Sequence, residues 1–225
     1  RSTLFPYTTL FRSLDNVNGI PLVVLEFKSA IREDATIYDA YEQLNFRYIR
    51  DIPELFIYNA FTVISDGVNS KAGTVFMDYP DYYSWNRAEA KDPPCDGIGS
   101  LRTLMDGMFR KDRLLAIIRD FIYFPDDSGN NEKILCRYPQ FFAATELLDN
   151  IRPHMKPKGD GKGGTYFGTT GCGKSFTMLF LTRLIMRSKD MRNPTIILIT
   201  DREDLDNQLS KQRSEEHTSE LQSPG

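Results

Sequence analysis

Gly168-Thr169-Thr170-Gly171-Cys172-Gly173-Lys174-Ser175 fits G-x-x-x-x-G-K-[ST], the loop pattern that wraps the phosphates of ATP or GTP. Its glycines allow successive backbone N–H groups to turn inward on a β-phosphate with no Cβ in the way. Lys174 is placed to reach the β- and γ-phosphates, and the Ser175 hydroxyl to ligate Mg²⁺. The flanks support this reading. Gly164-Thr165-Tyr166-Phe167 reads as a short buried strand. Ser175 to Arg187 reads as a helix whose apolar face carries Phe176, Leu179, Phe180, Leu184, Ile185 and Met186. Phosphates would then sit on a helix N-terminus, where free N–H groups and the dipole favour anions. The competing reading is a plain glycine-rich turn, against which the flanking strand and helix weigh.

The chain has 225 residues, 40% of them hydrophobic and 26% charged, a globular composition that suits one or two small domains. Its net charge of −3 gives no global basic field, so any DNA contact must come from local patches. Cys95, Cys136 and Cys172 are scattered and form no C-x-x-C pair, so neither a zinc site nor a disulfide framework is indicated. A cysteine inside the phosphate loop fits a reducing, cytoplasmic compartment. No apolar run approaches the ~18 residues of a membrane span, and no signal peptide is expected.

Both ends are unusual. Arg1 to Ser13 (RSTLFPYTTLFRS) and Arg213 to Pro224 (RSEEHTSELQSP) resemble translated adapter oligonucleotides of short-read DNA sequencing. Residues 1–13 and 213–225 are therefore expected to be non-native and to carry neither fold nor function.

Between them, Ile20 to Phe27 (IPLVVLEF) reads as a buried strand, preceded by an Asn18-Gly19 turn. Asp34 can cap a helix from about Ala35 to Asp51, ended by Pro53. Leu55–Tyr58, Phe61–Ser65 and Gly73–Met77 read as strands. Leu101–Met108, Lys111–Tyr123 and Phe141–Asn150 read as helices, and Thr195–Thr200 as a β-branched buried strand. Pro125 to Asn131 (PDDSGNN) is the best linker. It separates a first domain, 14–125, from a second, 132–212, with 126–131 between them.

Glu26-Phe27-Lys28 is a candidate second site. Residues two apart on a strand share a face, so Glu26 and Lys28 are expected to project together onto an open face. In metal-dependent nucleases a carboxylate pair holds Mg²⁺, and a lysine ammonium orients water or offsets developing charge. The triplet is cheap: Glu89-Ala90-Lys91 and Asp160-Gly161-Lys162 repeat it as ordinary surface charges. Only the first ends an apolar strand, where a charged pair is costly without partners.

Three segments resemble the nuclease domain of the restriction (R) subunit of type I restriction enzymes. They are Asn18 to Lys28, Asp51-Ile52-Pro53-Glu54-Leu55-Phe56, and Val63-Ile64-Ser65-Asp66-Gly67. Arg137 to Ala143 (RYPQFFA) resembles the adenine-reading segment ahead of that subunit's motor. The phosphate loop and Thr195 to Leu209 (TIILITDREDLDNQL) resemble helicase motifs I and Ia. The resemblance implies an α/β chain: a PD-(D/E)xK nuclease-type mixed sheet, then the start of a P-loop (superfamily 2 helicase) parallel α/β domain. It implies ATP and Mg²⁺ as cofactors. Its implied partners are double-stranded DNA and the modification (methyltransferase) and specificity subunits, with no membrane. By the same token Glu26 would bind metal and Lys28 would be catalytic. Gln140 would read adenine, although a helix-capping role is the alternative. Gly168, Thr169, Thr170, Gly171, Cys172, Gly173, Lys174 and Ser175 would hold the nucleotide, with Ser175 on its Mg²⁺.

Two departures stand out. The family's first catalytic Asp lies fourteen positions before the Glu, which is Arg12 here; Asp15 falls on the wrong strand parity. The family's Gln-x-x-x-Tyr motif is one residue too long, with Gln43 followed by Tyr48, so only Gln43 is kept as a candidate beside the site, and an i, i+4 surface pair with Arg47 is its favoured alternative. The chain is expected to stop before the motor's acidic motif, and so to bind ATP without translocating. Two other readings stay open: a stand-alone P-loop helicase or ATPase with a non-catalytic N-terminal module, and an inactive truncated frame. Tyr79, Tyr82, Tyr83 and Trp85 read as core, Lys156, Lys158 and Lys162 as a solvated linker, and His154 as a lone surface residue.

Overall fold

The structure is a computed structural model that describes residues 12–17, 19–28, 36–125 and 132–199, the first of these segments by backbone alone. The chain forms two compact units. The first runs to Tyr123 and takes back the segment ending at Tyr138; the second continues from Pro139.

The first unit is built on a four-stranded mixed sheet of strands β1 (Arg12–Val17), β2 (Ile20–Phe27), β3 (Phe61–Ser65) and β4 (Ser70–Gly73), in that order. β1 and β2 pair antiparallel across the tight turn before Ile20, where Gly19 takes φ +83°, a conformation glycine adopts without strain. β2 and β3 run parallel, and β3 and β4 antiparallel. Arg12 and Ser13, from the adapter-like segment, nevertheless continue β1; pairing at a sheet edge uses backbone groups that every residue supplies.

A parallel pair needs a crossover. Here it contains α1 (Ile37–Glu42), a π-helical turn (Gln43–Tyr48) and α2 (Ile49–Asp51). This helix covers one sheet face, where Val24 and Ile64 pack with Ile37, Ala40, Tyr41, Leu44, Tyr48 and Tyr82. The other face carries Val23, Leu25, Phe61 and Val63, all buried. It meets the segment of α3 (Ser100–Met108) and α4 (Lys111–Asp120): the Phe61 and Phe109 rings lie 5.8 Å apart, and Ser100 Oγ donates to Ser70 Oγ at 3.0 Å. Strands β5 (Ile122–Tyr123) and β6 (Ile134–Leu135) form a separate antiparallel pair.

Several expectations shift. The cap of α1 is Thr36, whose hydroxyl accepts from the Asp39 N–H while the Asp39 carboxylate accepts from the Thr36 N–H at 2.6 Å; Asp34 lies outside the described residues. Leu55–Tyr58 is not a strand. Pro53 opens a 3-10 turn over Pro53–Phe56, closed by Leu55 N–H donating to Ile52 O at 3.1 Å. β4 ends at Gly73 because Thr74–Met77 folds into a turn, with Met77 N–H on Thr74 O at 3.1 Å. Tyr82 and Trp85 are core residues, as expected.

In the second unit, α5 (Tyr138–His154) starts earlier and ends later than expected. Pro139 sits in its first turn, where a missing N–H costs nothing. α6 (Lys174–Arg187) follows the glycine-rich loop. The strands expected on either side do not form. Residues 164–167 and 195–199 belong to no ladder among the described residues, and Phe167 and Ile199 are 90% and 92% exposed. An apolar run supplies the faces of a buried strand but not the hydrogen-bonding neighbours.

Replacing Thr36 by Ala is expected to cost about 1 kcal/mol in urea unfolding at neutral pH. The Thr36 N–H and hydroxyl hold the Asp39 carboxyl below its ordinary range. That contribution is present above the unfolded-state value and is lost as pH falls through the folded one. The gap between wild type and Asp39→Ala should therefore close on acidification.

Candidate functional sites

Glu26 is the penultimate residue of β2, and Lys28 lies just past the strand end. The Lys28 N–H donates to Ser65 O at 2.7 Å, which extends the parallel register and keeps Lys28 on the face of Glu26. The face is not open as expected. Glu26 is 0% exposed, because the crossover helix lies over it, and its charge is met from within.

Four side chains close a circuit. Lys28 Nζ lies 3.3 Å from Glu26 Oε1 and also donates to Gln43 Oε1. Gln43 Nε2 donates to the Tyr48 hydroxyl, which donates to Glu26 Oε2 at 3.1 Å. Gln43 is therefore a buried partner of Lys28 and not half of a surface pair with Arg47, which is exposed. The reason is the π-helical turn. Five residues on an α-helix cover about one and two-fifths turns and put Gln43 and Tyr48 on different faces. The wider i→i+5 turn brings residues five apart nearly into line. The extra residue between Gln43 and Tyr48 is absorbed there, and both side chains reach the sheet. Tyr48 is the functional candidate that spacing alone missed.

Backbone register places Arg12 directly opposite Glu26 on β1, whereas Asp15 pairs with Val23, on the other parity. A carboxylate at position 12 would thus neighbour Glu26. With arginine there, Glu26 is the circuit's lone carboxylate and both its oxygens are engaged. No group of three His, Cys, Asp or Glu side chains suited to a metal exists among the described residues. The donors present here do not fit a Mg²⁺ centre, which demands near-octahedral oxygen ligation.

The other two triplets are structural. Glu89 bonds Arg110 at 2.9 Å and pairs with Arg113. Asp160 lies 2.7 Å from His154 Nδ1 and accepts from the Lys162 N–H, which, with His154, holds its carboxyl below the usual range. His154 is therefore paired, not alone. Lys156, Lys158 and Lys162 are exposed.

In the glycine-rich loop, Gly171 and Gly173 take φ +79° and +80°. Lys174 opens α6 and reaches back, donating to Gly168 O and Thr169 O at 3.0 Å each. The Thr177 N–H and hydroxyl donate to Gly173 O at 3.1 and 3.4 Å. Gln140, from α5, is 4% exposed and brings Nε2 to within 3.5 Å of the same carbonyl. A Cβ on Gly173 would displace that nitrogen, and the left-handed φ of +80° favours glycine there. Ser175 is half-buried in the first turn of α6.

The SWI2/SNF2 ATPase family matches residues 139–224, and the N-terminal family of type I restriction enzyme R proteins matches residues 15–80. These two matches define the class: a mixed α/β restriction-type unit joined to an ATPase-type segment. The chain is 36% identical over 196 residues to the type I restriction enzyme HindI endonuclease subunit of Haemophilus influenzae, covering 86% of this chain and 18% of that protein. It is 30% identical over 212 residues to the candidate type I restriction enzyme MjaIXP endonuclease subunit of Methanocaldococcus jannaschii, covering 86% of this chain and 20% of that protein. The chain belongs to the family of type I restriction endonuclease subunits, and spans about a fifth of the length of these curated relatives. No described helix is long and apolar enough to cross a membrane.

The π-helical register has a direct check. Tyr48→Phe removes a donor from a buried carboxylate and should cost about 1–3 kcal/mol in equilibrium unfolding. Arg47→Ala, at the position an α-helical register would favour, should stay within about 0.5 kcal/mol of wild type.

Proposed function

We propose that the chain contributes the nuclease unit and the ATP-binding segment of a type I restriction endonuclease subunit. In the assembled enzyme, ATP-driven translocation along double-stranded DNA is coupled to cleavage of unmodified DNA. Modification and specificity subunits complete the complex, and it works in the cytoplasm. One observation carries this reading. A Glu26–Lys28–Gln43–Tyr48 circuit on a mixed sheet precedes, in one chain, a glycine-rich loop with Gln140 seated against it.

In the second unit, Gly168, Thr169, Thr170, Gly171, Cys172 and Gly173 would wrap the phosphates with backbone N–H groups, the Cys172 N–H leaving Thr169 O, to which it donates at 3.3 Å. Lys174 exchanges its two loop carbonyls for the β- and γ-phosphates. Ser175 presents its hydroxyl to the Mg²⁺ that accompanies ATP and offsets its charge. Gln140 contacts the adenine edge.

Lys174→Ala should weaken ATP binding about tenfold or more, because charge-assisted contacts to phosphate are roughly twice as strong as neutral ones. Gln140→Ala should blunt the preference for ATP over GTP. Calorimetric titration of both nucleotides into all three proteins reads both effects. Equal ATP affinity in wild type and Lys174→Ala would overturn the phosphate-site reading.

A second reading is favoured by the donor set at Glu26: the first unit of this chain holds DNA without cutting it, because its metal ligation is incomplete. Arg12→Asp places a carboxylate opposite Glu26. Titration with Mn²⁺ should show a bound ion in that variant and none at this unit in the chain with Arg12. Tight binding with Arg12 present would reject the second reading.

A further inference from the structure

We propose that Lys71, on the outermost strand β4 and in the row of Glu26, is a DNA-backbone contact of the first unit, an ammonium held beside the Glu26 circuit to take a phosphate of duplex DNA. This rests on the reading above that the first unit acts on DNA. The sheet register makes the case first. Glu26 on β2 pairs with Ile64 on β3, and Ile64 pairs with Lys71 on β4, so Glu26 and Lys71 lie in one row and share one face. Two strand spacings separate them, roughly 10 Å. Glu26 is itself buried, so the row sets Lys71 beside the circuit without bringing Glu26 to a bound strand.

The environment of Lys71 is the second argument. Its Nζ stands 4.5 Å from the centroid of the Tyr79 ring. Tyr79 is itself held edge-on by Tyr38 and Tyr41 of α1, with ring centroids 5.0 and 5.5 Å away. The stem of Lys71 is half-buried, so the ammonium is positioned and not free to sweep through solvent. Yet its charge is not consumed. Asp78 and Asp81 flank Tyr79 in sequence, but among the described residues Lys71 makes no ion pair or hydrogen bond through its ammonium. A ring face holds a partly exposed cation more weakly than a charge-assisted phosphate contact does. Lys28, which shares the face of Glu26, is tied to Glu26 and Gln43. A preorganised cation with an unspent charge, in line with the circuit, is what a phosphate clamp requires. A purely structural lysine would serve equally well as an uncharged side chain of the same length.

The test is duplex binding by the full chain, followed by fluorescence anisotropy over a series of KCl concentrations. The variants are Lys71→Met, Lys71→Arg and Lys111→Met, the last removing an exposed charge from α4. Methionine keeps the stem over Tyr79, and Lys71→Gln replaces it should Lys71→Met melt early. Loss of Lys71 should weaken binding about three- to tenfold at low salt and lower the log–log salt slope by about one. Lys71→Arg and Lys111→Met should keep the wild-type slope. An unchanged slope in Lys71→Met, or an equal fall in Lys111→Met, overturns the inference while the DNA-acting reading stands. A wild-type chain that binds no duplex brings down that reading and this inference with it.

Discussion

The charge of Glu26 is the constraint on which the first unit is arranged. A carboxylate with no exposed surface, at the end of a central strand, costs several kcal/mol unless both oxygens find partners. Lys28 answers one oxygen, and strand alternation with the Ser65 hydrogen bond fixes where Lys28 can be. Tyr48 answers the other, and Gln43 joins the two. Tyr48 can reach Glu26 while Gln43 reaches Lys28 only if the helix widens between them. The π-turn is thus a consequence of the buried charge. Once widened there, the crossover has one register on the sheet, and Ala40, Leu44 and Tyr48 fall on Val24 and Ile64 as the core.

The second unit is governed differently. Its organising feature is one carbonyl, Gly173 O, approached by the Thr177 N–H and hydroxyl and by the Gln140 amide. Buried polar atoms rarely go unpaired, so this convergence fixes where α5 meets the start of α6. A glutamine amide has two N–H donors and an acceptor oxygen.

Much of this was legible in the sequence, and the failures have physical causes. The runs Ile20–Phe27 and Phe61–Ser65 declare buried strands because their apolar residues are β-branched or aromatic and nearly continuous. Thr195–Ile199 carries the same signal without forming a ladder, since composition shows what a strand would bury but not what it pairs with. Leu55–Tyr58 looked like a strand by side chains alone, while Pro53 and the Ile52 carbonyl had already closed a local turn. Gln43 and Tyr48 were out of step only on an α-helical ruler. A usable signal was present: Ala40, Leu44 and Tyr48 recur at fourth positions, which marked the tyrosine as inward-facing.

Charge counting shows why the residue opposite Glu26 matters so much. Glu26 and Lys28 together are neutral, so a divalent cation entering the circuit would add two uncompensated positive charges to a buried site. It would also have to displace Lys28 or Tyr48 from an oxygen it needs. A second carboxylate at position 12 turns the balance to minus one. The same cation then leaves a single excess positive charge, which the phosphate of a bound strand can neutralise. Cation and substrate thereby become mutually dependent. With arginine at that position the row opposite Glu26 already carries a positive charge, so a divalent cation there would be opposed and not drawn in.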